Sequence, residues 1–310
     1  MGEVSRDDIE AAAGRIEEHV RRTPVAGLGD VLGSGYRLSL KLDSMQPTGS
    51  FKVRGAFSFL TSTVVPDVGV MAASGGNFGL AVAYAAHRLG HKATIFVPQT
   101  SPEEKIGKIA GYGAGVRVVD GFYPDALEAS LAWGAESGAL MAHAYDQHEV
   151  VAGQGTCGLE IGEQVADTGS VLVAVGGGGL IGGIASWFRD DVKIVGVESE
   201  GCPTLYEARA AGRPVPVEVG GVAASSLGAS LLGDHAWEVD RWIDESLLVA
   251  DEEILRAQRW LWETCRVLSE PAACVTIAAL LTGRYRPDPG EHVVAVISGG
   301  NTAELVDGAR

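Results

Sequence analysis

The sequence predicts an α/β fold of mostly parallel sheets covered by helices on both faces. Three observations predict it. Strand-like and helix-like segments alternate along most of the chain. Most strand segments are apolar throughout, while Arg37 to Leu42 alternates. Three of them run directly into a glycine-rich loop and then a helix, at 70–80, 171–182 and 293–303. Strands buried on both faces read as continuous apolar runs. Open sheets of this kind bind ligands beyond the carboxyl ends of their strands. The three glycine loops are therefore expected to face a common cleft.

The elements follow in order. Ser5-Arg6-Asp7-Asp8 is a capped helix start, with the helix running to about His19 and Pro24 beyond it. Arg37 to Leu42 and Val68 to Ala73 read as strands, the second followed by Ser74-Gly75-Gly76-Asn77 and an alanine-rich helix over Gly79 to Leu89. Ala93 to Val97 is a strand. Ser101-Pro102-Glu103-Glu104 opens a helix with a cap, a first-turn proline and an acid at the third position. Val116 to Val119 is a strand and Asp125 to Ser137 a helix. The second half alternates in the same way. Val171 to Val175 is a strand, four glycines follow, Leu180 to Phe188 is a helix and Lys193 to Glu198 a strand. A long helix opens at Asp251 and reaches about Leu268. Strand His292 to Ile297 ends in Ser298-Gly299-Gly300-Asn301, and a terminal helix follows. No low-complexity linker marks a domain boundary, which is compatible with a chain that crosses between two sheets.

The 310 residues carry 24 basic and 40 acidic side chains, a formal charge of −16. Such a surface repels nucleic acid and anionic lipid. No apolar run approaches the roughly 20 residues that span a bilayer. The polar N-terminus lacks the features of a secretory leader. Cys157, Cys202, Cys265 and Cys274 have no metal-binding or redox spacing and read as reduced thiols. A cytoplasmic protein without nucleic-acid or membrane partners is expected.

Two segments carry chemistry. Gly176, Gly177, Gly178 and Gly179 lie between a strand and a helix. There, backbone N–H groups can turn inward and the helix start favours an anion. A phosphate cradle and a tight structural turn both fit. Lys52 lies in Gln46-Pro47-Thr48-Gly49-Ser50-Phe51-Lys52-Val53-Arg54-Gly55-Ala56, among apolar neighbours, in a chain with six lysines against eighteen arginines. It reads either as a surface lysine at a helix start or as a desolvated amine with a lowered pKa, nucleophilic toward aldehydes.

The string QPTGSFKVRGA resembles the cofactor-lysine motif of the threonine dehydratase and serine racemase family, pyridoxal-phosphate enzymes with the tryptophan-synthase β-subunit fold, fold type II. SGGNFG resembles that family's asparagine loop, VGGGGLIGGIA its tetraglycine loop, and the C-terminal SGGN the segment that meets the pyridine nitrogen. GQGT at 153–156, Ser269-Glu270-Pro271-Ala272 and the opening SRDDIEAAAGRIEEHVRRTPV also fit, in the right order over the whole chain.

The resemblance implies two open twisted sheets flanked by helices. A large cofactor-binding domain would comprise 1–66 and 146–310, and a small domain 67–145. It implies that Lys52 forms a Schiff base with pyridoxal 5'-phosphate. Gly176 to Gly179 would bind the phosphate, Asn77 the ring hydroxyl, Phe51 the ring face and Ser298 the ring nitrogen. Ser74, Gly75, Gly76, Asn77 and Phe78 would hold the substrate carboxylate. The implied reaction is β-elimination of a β-hydroxy amino acid such as threonine or serine, giving a 2-oxo acid and ammonia, in a homodimer. A racemase, a β-replacement enzyme and a non-catalytic binding protein are the alternatives.

Three departures matter. Gly75 stands where racemases of this family carry a second acid/base serine, which favours elimination. Phe78 stands where many relatives carry histidine, which implies a more apolar pocket. Glu198 and the Cys202 carbonyl match two positions of a cation site, but the third is Thr204 rather than an aspartate, which leaves a bound divalent or monovalent cation in doubt. The seven histidines show no metal-binding spacing, and Trp260 and Trp262 read as packing or subunit-contact residues. The chain ends soon after SGGN, so allosteric control by an end product is not expected.

Overall fold

A computed structural model of the chain describes residues 2–101 and 103–302. Helix α1 (Arg6–Ile16) is followed by β1 (Val25–Gly29), which pairs antiparallel with β2 (Arg37–Lys41). Helix α2 (Lys52–Ser62) leads into a second sheet built from β3 (Val70–Ala73), β4 (Ala93–Pro98), β5 (Gly115–Val119) and β6 (Leu140–Met141). Helices α3 (Asn77–Leu89), α4 (Glu103–Gly111) and α5 (Tyr123–Ser137) alternate with them. Helix α6 (His148–Gln164) returns the chain to the first sheet. There follow β7 (Ser170–Ala174), α7 (Gly179–Phe188), β8 (Lys193–Ser199), α8 (Thr204–Ala211), α9 (Ala224–Leu227), α10 (Asp234–Glu238), β9 (Glu245–Val249), α11 (Asp251–Trp260), α12 (Val275–Leu281) and β10 (His292–Val296).

The six-stranded sheet has the order β1-β2-β10-β7-β8-β9 and the four-stranded sheet β5-β4-β3-β6. Every pairing except β1 with β2 is parallel. The expected α/β architecture is therefore observed. Strands β3 and β7 are buried at every residue, as parallel strands covered on both faces must be. No helix among the described residues is long and apolar enough to cross a membrane. The four cysteines are free.

Helix α6 packs between two other helices and sets the position of the site. A side chain at Gly153 would stand 2.7 Å from the Arg54 carbonyl of α2, and one at Gly155 3.0 Å from the Gly183 carbonyl of α7. Glycine at these two positions lets three helix backbones approach more closely than side chains permit. The segment GQGT thus locks the lysine-bearing helix and the glycine-loop helix to one central rod.

Some boundaries differ from the sequence expectation. Helix α1 ends at Ile16, not His19. Helix α11 gives way after Trp260 to one π turn, Leu261–Cys265, and closes at Arg266 in the left-handed conformation. The early ending lets the Ser269 carbonyl accept from Gln258 at 2.7 Å and the Glu270 amide donate to the Gly299 carbonyl at 3.1 Å. The expected helix after Asn301 lies outside the described residues, as does Pro102.

Candidate active site

Three loops meet at the carboxyl ends of the strands, those after β2, β3 and β10. The loop after β2 and the loop after β10 are joined by the Ser50–Gly299 bridge, by Phe51 N–H donating to Ser298 O at 3.0 Å, and by Gly300 N–H donating to Gly49 O at 2.9 Å. Asn301 Nδ2 donates to Thr48 O at 2.8 Å and to Asn77 Oδ1 at 2.9 Å. Asn77 Nδ2 donates to Glu270 Oε1 at 2.8 Å. The lysine loop, the C-terminal SGGN segment and the asparagine loop of the smaller sheet therefore form one hydrogen-bonded unit.

Lys52 is the first residue of α2 and is half-buried. Its Nζ donates to the Ala144 carbonyl at 2.8 Å and lies 5.0 Å from the centre of the Phe51 ring and 5.8 Å from that of Phe78. Burial lowers its pKa from 10.5 to about 8, against the opposing pull of Glu270. A surface lysine would not be shifted this way. Phe78 is buried and reaches the lysine amine itself as well as ending the asparagine loop.

The tetraglycine segment has two aspects. Packing explains part of it: a side chain at Gly177 would stand 2.3 Å from the Tyr145 ring, one at Gly178 2.4 Å from Ala236, and Gly178 has φ +92°. Yet the amide N–H groups of Gly176 to Ile181 donate to no acceptor among the described residues. Six unpaired donors at the start of a ten-residue helix are a site for an anion. The N–H groups of Asn77, Phe78 and Gly79 at the start of α3 are likewise unpaired, because the cap residue is Gly76. Ser298 is 4% exposed, and its hydroxyl has no hydrogen-bond partner among the described residues.

The family model described as "Pyridoxal-phosphate dependent enzyme" matches residues 16–299. The chain belongs to this family. The lowered lysine amine and the cradle of unpaired amides fit an aldehyde cofactor with a phosphate tail. Among curated relatives, L-threonine ammonia-lyase of Thermotoga maritima is 37% identical, covering 96% of this chain and 76% of that one. Among solved structures, maize serine racemase superposes with a TM-score of 0.93 at 30% identity, covering 98% of this chain and 95% of that one. The T.th. threonine deaminase superposes at 0.90 with 34% identity, covering 97% and 99%.

Other members of the site of this pyridoxal-phosphate enzyme escaped the residue-level reading. Glu270 is buried, and burial raises its pKa to about 7 although Lys105, Asn77, Ser226 and Lys52 pull it down. A side chain at Gly299 would collide with Glu270 Oε1 at 2.2 Å. The Ser-Glu-Pro-Ala segment and the double glycine of SGGN were the available signals, and only the fold shows that one exists for the other. His143 beside Lys52 has its pKa lowered by burial, with Asp146 opposing and Lys52 adding to the shift. Its Nδ1 accepts from the Asp146 amide at 2.9 Å.

Glu198 and Cys202 do not fit a hard cation. Both Glu198 oxygens are taken: Oε1 accepts from Leu205 N–H at 2.8 Å and lies 3.1 Å from the Thr204 hydroxyl, and Oε2 accepts from Tyr206 N–H at 2.8 Å. Burial raises its pKa to about 7 against these donors. Thr204, in place of the third ligand, donates to the Gly176 carbonyl. Among the described residues no group of three or more His, Cys, Asp or Glu side chains is arranged to hold a metal ion.

Proposed function

We propose that this enzyme eliminates water from a β-hydroxy amino acid, threonine or serine, and releases a 2-oxo acid and ammonia. The observation that carries the reading is the Lys52 amine, its pKa lowered to about 8, beside the Phe51 and Phe78 rings where the lysine, SGGN and asparagine loops meet. The threonine ammonia-lyase and threonine deaminase similarities support the reaction class.

Each residue has a role in this reading. When bound, pyridoxal phosphate supplies an aldehyde that an amine can capture and a ring that takes up the electron pair released at Cα. Lys52 holds that aldehyde and, once displaced by substrate, takes the Cα proton. The amides of Gly176 to Gly179 grip the phosphate. Asn77 keeps one amide hydrogen for the ring hydroxyl, and Phe51 covers the ring. Ser298 offers the ring nitrogen a neutral hydroxyl. A neutral hydroxyl there would favour a protonated ring less than a carboxylate would, which suits prompt loss of the β-hydroxyl. The unpaired N–H groups of the Ser74–Phe78 loop orient the substrate carboxylate. Residues 67–145 form the small domain that brings this loop to the cleft, and the enzyme works as a cytoplasmic homodimer.

The test is a screen of L-serine, L-threonine and larger β-hydroxy amino acids, with detection of 2-oxo acid and ammonia. Release of both from at least one substrate is expected, together with loss of turnover and of the cofactor's visible absorbance in Lys52→Ala. Turnover in that variant would sink the assignment. Borohydride reduction and peptide mapping should place the cofactor's mass on Lys52.

A further inference from the structure

Dehydration makes a demand that Lys52, the glycine loop and Asn77 do not meet alone. Hydroxide is a poor leaving group, so the β-oxygen must be held by a donor and must receive a proton as the Cβ–O bond breaks. The donor has to stand near the Lys52 amine, which takes the proton from Cα.

The segment that crosses from β6 to α6 stands there. The Ala144 carbonyl accepts from Lys52 Nζ at 2.8 Å. The next side chain, Tyr145, covers the glycine loop, and a Cβ built on Gly177 would stand 2.3 Å from its ring. Asp146 Oδ1 accepts from the His235 amide at 3.1 Å, which anchors the far end of the segment. His143 directly precedes the lysine's carbonyl partner. Its imidazole packs edge-on against the Tyr145 ring, with centroids 4.7 Å apart. The imidazole is therefore bracketed between the lysine amine and the aromatic cover of the glycine loop.

The hydrogen bonds of His143 decide which ring nitrogen is offered. Nδ1 accepts from the Asp146 amide at 2.9 Å, so that nitrogen carries no proton. A neutral ring then carries its proton on Nε2. Burial favours the neutral ring against the pull of Asp146, and Lys52 adds to the effect of burial. Nε2 has no hydrogen-bond partner among the described residues. The backbone is fixed as well, since His143 N–H donates to Gln147 Oε1 at 3.0 Å. The result is a single N–H donor, held in place and not yet used.

The geometry points to His143 as the residue that holds the leaving β-hydroxyl, its Nε2–H donating to the β-oxygen. This rests on the lyase reading of the same site. Lys52 Nζ takes the Cα proton, so a C–H bond breaks, an N–H bond forms, and the electron pair passes to the bound cofactor. The lysine ammonium then gives that proton to the β-oxygen held by His143. The Cβ–O bond breaks with its pair leaving on water, and the pair released at Cα returns to form the Cα–Cβ double bond. One proton has moved from Cα to oxygen and His143 keeps its own, so no oxidant or reductant is consumed.

Two measurements on holoenzyme test this. The first compares the better of L-serine and L-threonine with β-chloro-L-alanine, whose chloride leaves without a proton. His143→Ala should lower kcat for the hydroxy amino acid about a hundredfold or more, and kcat for the chloride by less than about fivefold. His143→Gln, whose side-chain amide offers an N–H in place of Nε2, should recover most of the loss. Equal losses on both substrates, or an unchanged rate on the hydroxy amino acid, overturn the role. The second is a spectroscopic titration with amino acids that cannot eliminate. α-Methyl-L-serine has the β-hydroxyl but no Cα proton, and 2-methylalanine lacks the hydroxyl too. Wild type should bind the first about tenfold more tightly than the second, as one hydrogen bond allows, and His143→Ala should bring the ratio close to one. Equal affinities in wild type, or a ratio that survives in His143→Ala, overturn the proposal. Absence of 2-oxo acid from every substrate counts against the lyase reading, and the titration still decides what His143 holds.

Discussion

Asn77 Nδ2 donates to Glu270 Oε1 at 2.8 Å, so the first residue of α3, in the smaller sheet's layer, is tied to a buried carboxyl that packs on the loop after β10. The bond fixes the amide orientation, since Asn77 Oδ1 accepts from Asn301. Only one Asn77 hydrogen is left for a ligand. Asn77→Ala removes that hydrogen and strips Glu270 of a donor. A hydrogen bond to a charged group is worth about 1.5–3 kcal/mol, so the cofactor's dissociation constant should rise by ten-fold or more. Spectroscopic titration of apoprotein with pyridoxal phosphate measures it, and an unchanged constant would show that Asn77 does not hold the ring.

The charge on Glu270 is felt at Lys52. Burial lowers the amine's pKa to about 8, and Glu270 opposes that shift. Capture of an aldehyde needs the unprotonated amine, so the rate of apoprotein reconstitution should rise with pH through a midpoint near 8, not near 10.5. Glu270→Gln removes the opposing charge and should move the midpoint lower. Stopped-flow absorbance from mildly acidic to alkaline pH, in wild type and variant, follows this directly. An upward move would reverse the inferred coupling.

The glycine loop separates two explanations that sequence left equal. If its glycines served only the turn, Gly177→Ala would cost stability and leave cofactor affinity alone once folded. A methyl there meets the Tyr145 ring at 2.3 Å and must push the loop open, disturbing the six free amides. The expected result is a large loss of phosphate grip, a hundred-fold or more in cofactor dissociation. Gly90→Ala is the control: it has φ +75° at the end of α3 with nothing within 4 Å of an added methyl. It should cost about 1–2 kcal/mol of stability and leave affinity as it was.

The parallel strands and the glycine loops were legible because their signals are local: apolar runs for strands buried on both faces, glycine where a backbone must turn or approach. Helix α6 was not. Its three glycines in Gly153-Gln154-Gly155-Thr156-Cys157-Gly158 have poor helix propensity, yet they are what admits α2 and α7 on either side. Glu270 was hidden for another reason. It matters through a residue far away in sequence, Asn77, and a single chain does not display such pairs.

Arg54, two residues beyond the lysine, shows how α2 is held. Its guanidinium is fully buried and pairs with Asp43 at 2.7 and 2.8 Å and with Glu160 at 2.7 and 2.9 Å, while Lys41 also pairs with Glu160. Despite burial, which pushes it up, the Asp43 carboxyl is held low by Arg54. Removing one partner of such a buried set costs about 3–5 kcal/mol. Arg54→Met should lose that much in urea unfolding, and Arg54→Lys should recover little, because an ammonium cannot bridge two carboxylates in parallel. Full stability in Arg54→Met would mean that the network contributes nothing beyond its volume.

Glu198 makes the last prediction, through the sign of its shift. Its carboxyl titrates near 7 in the folded protein and near 4.5 unfolded, chiefly because it is buried. A raised carboxyl contributes stability that is complete below the unfolded value and is lost as pH rises through the folded one. The loss amounts to roughly 3 kcal/mol between about pH 4 and 8. Glu198→Gln keeps the shape without the ionisation, so its stability relative to wild type should improve steadily across that window. Urea unfolding of the two apoproteins over the same range gives the difference, to which Glu270 contributes equally in both. A flat difference would place the Glu198 carboxyl at its ordinary pKa.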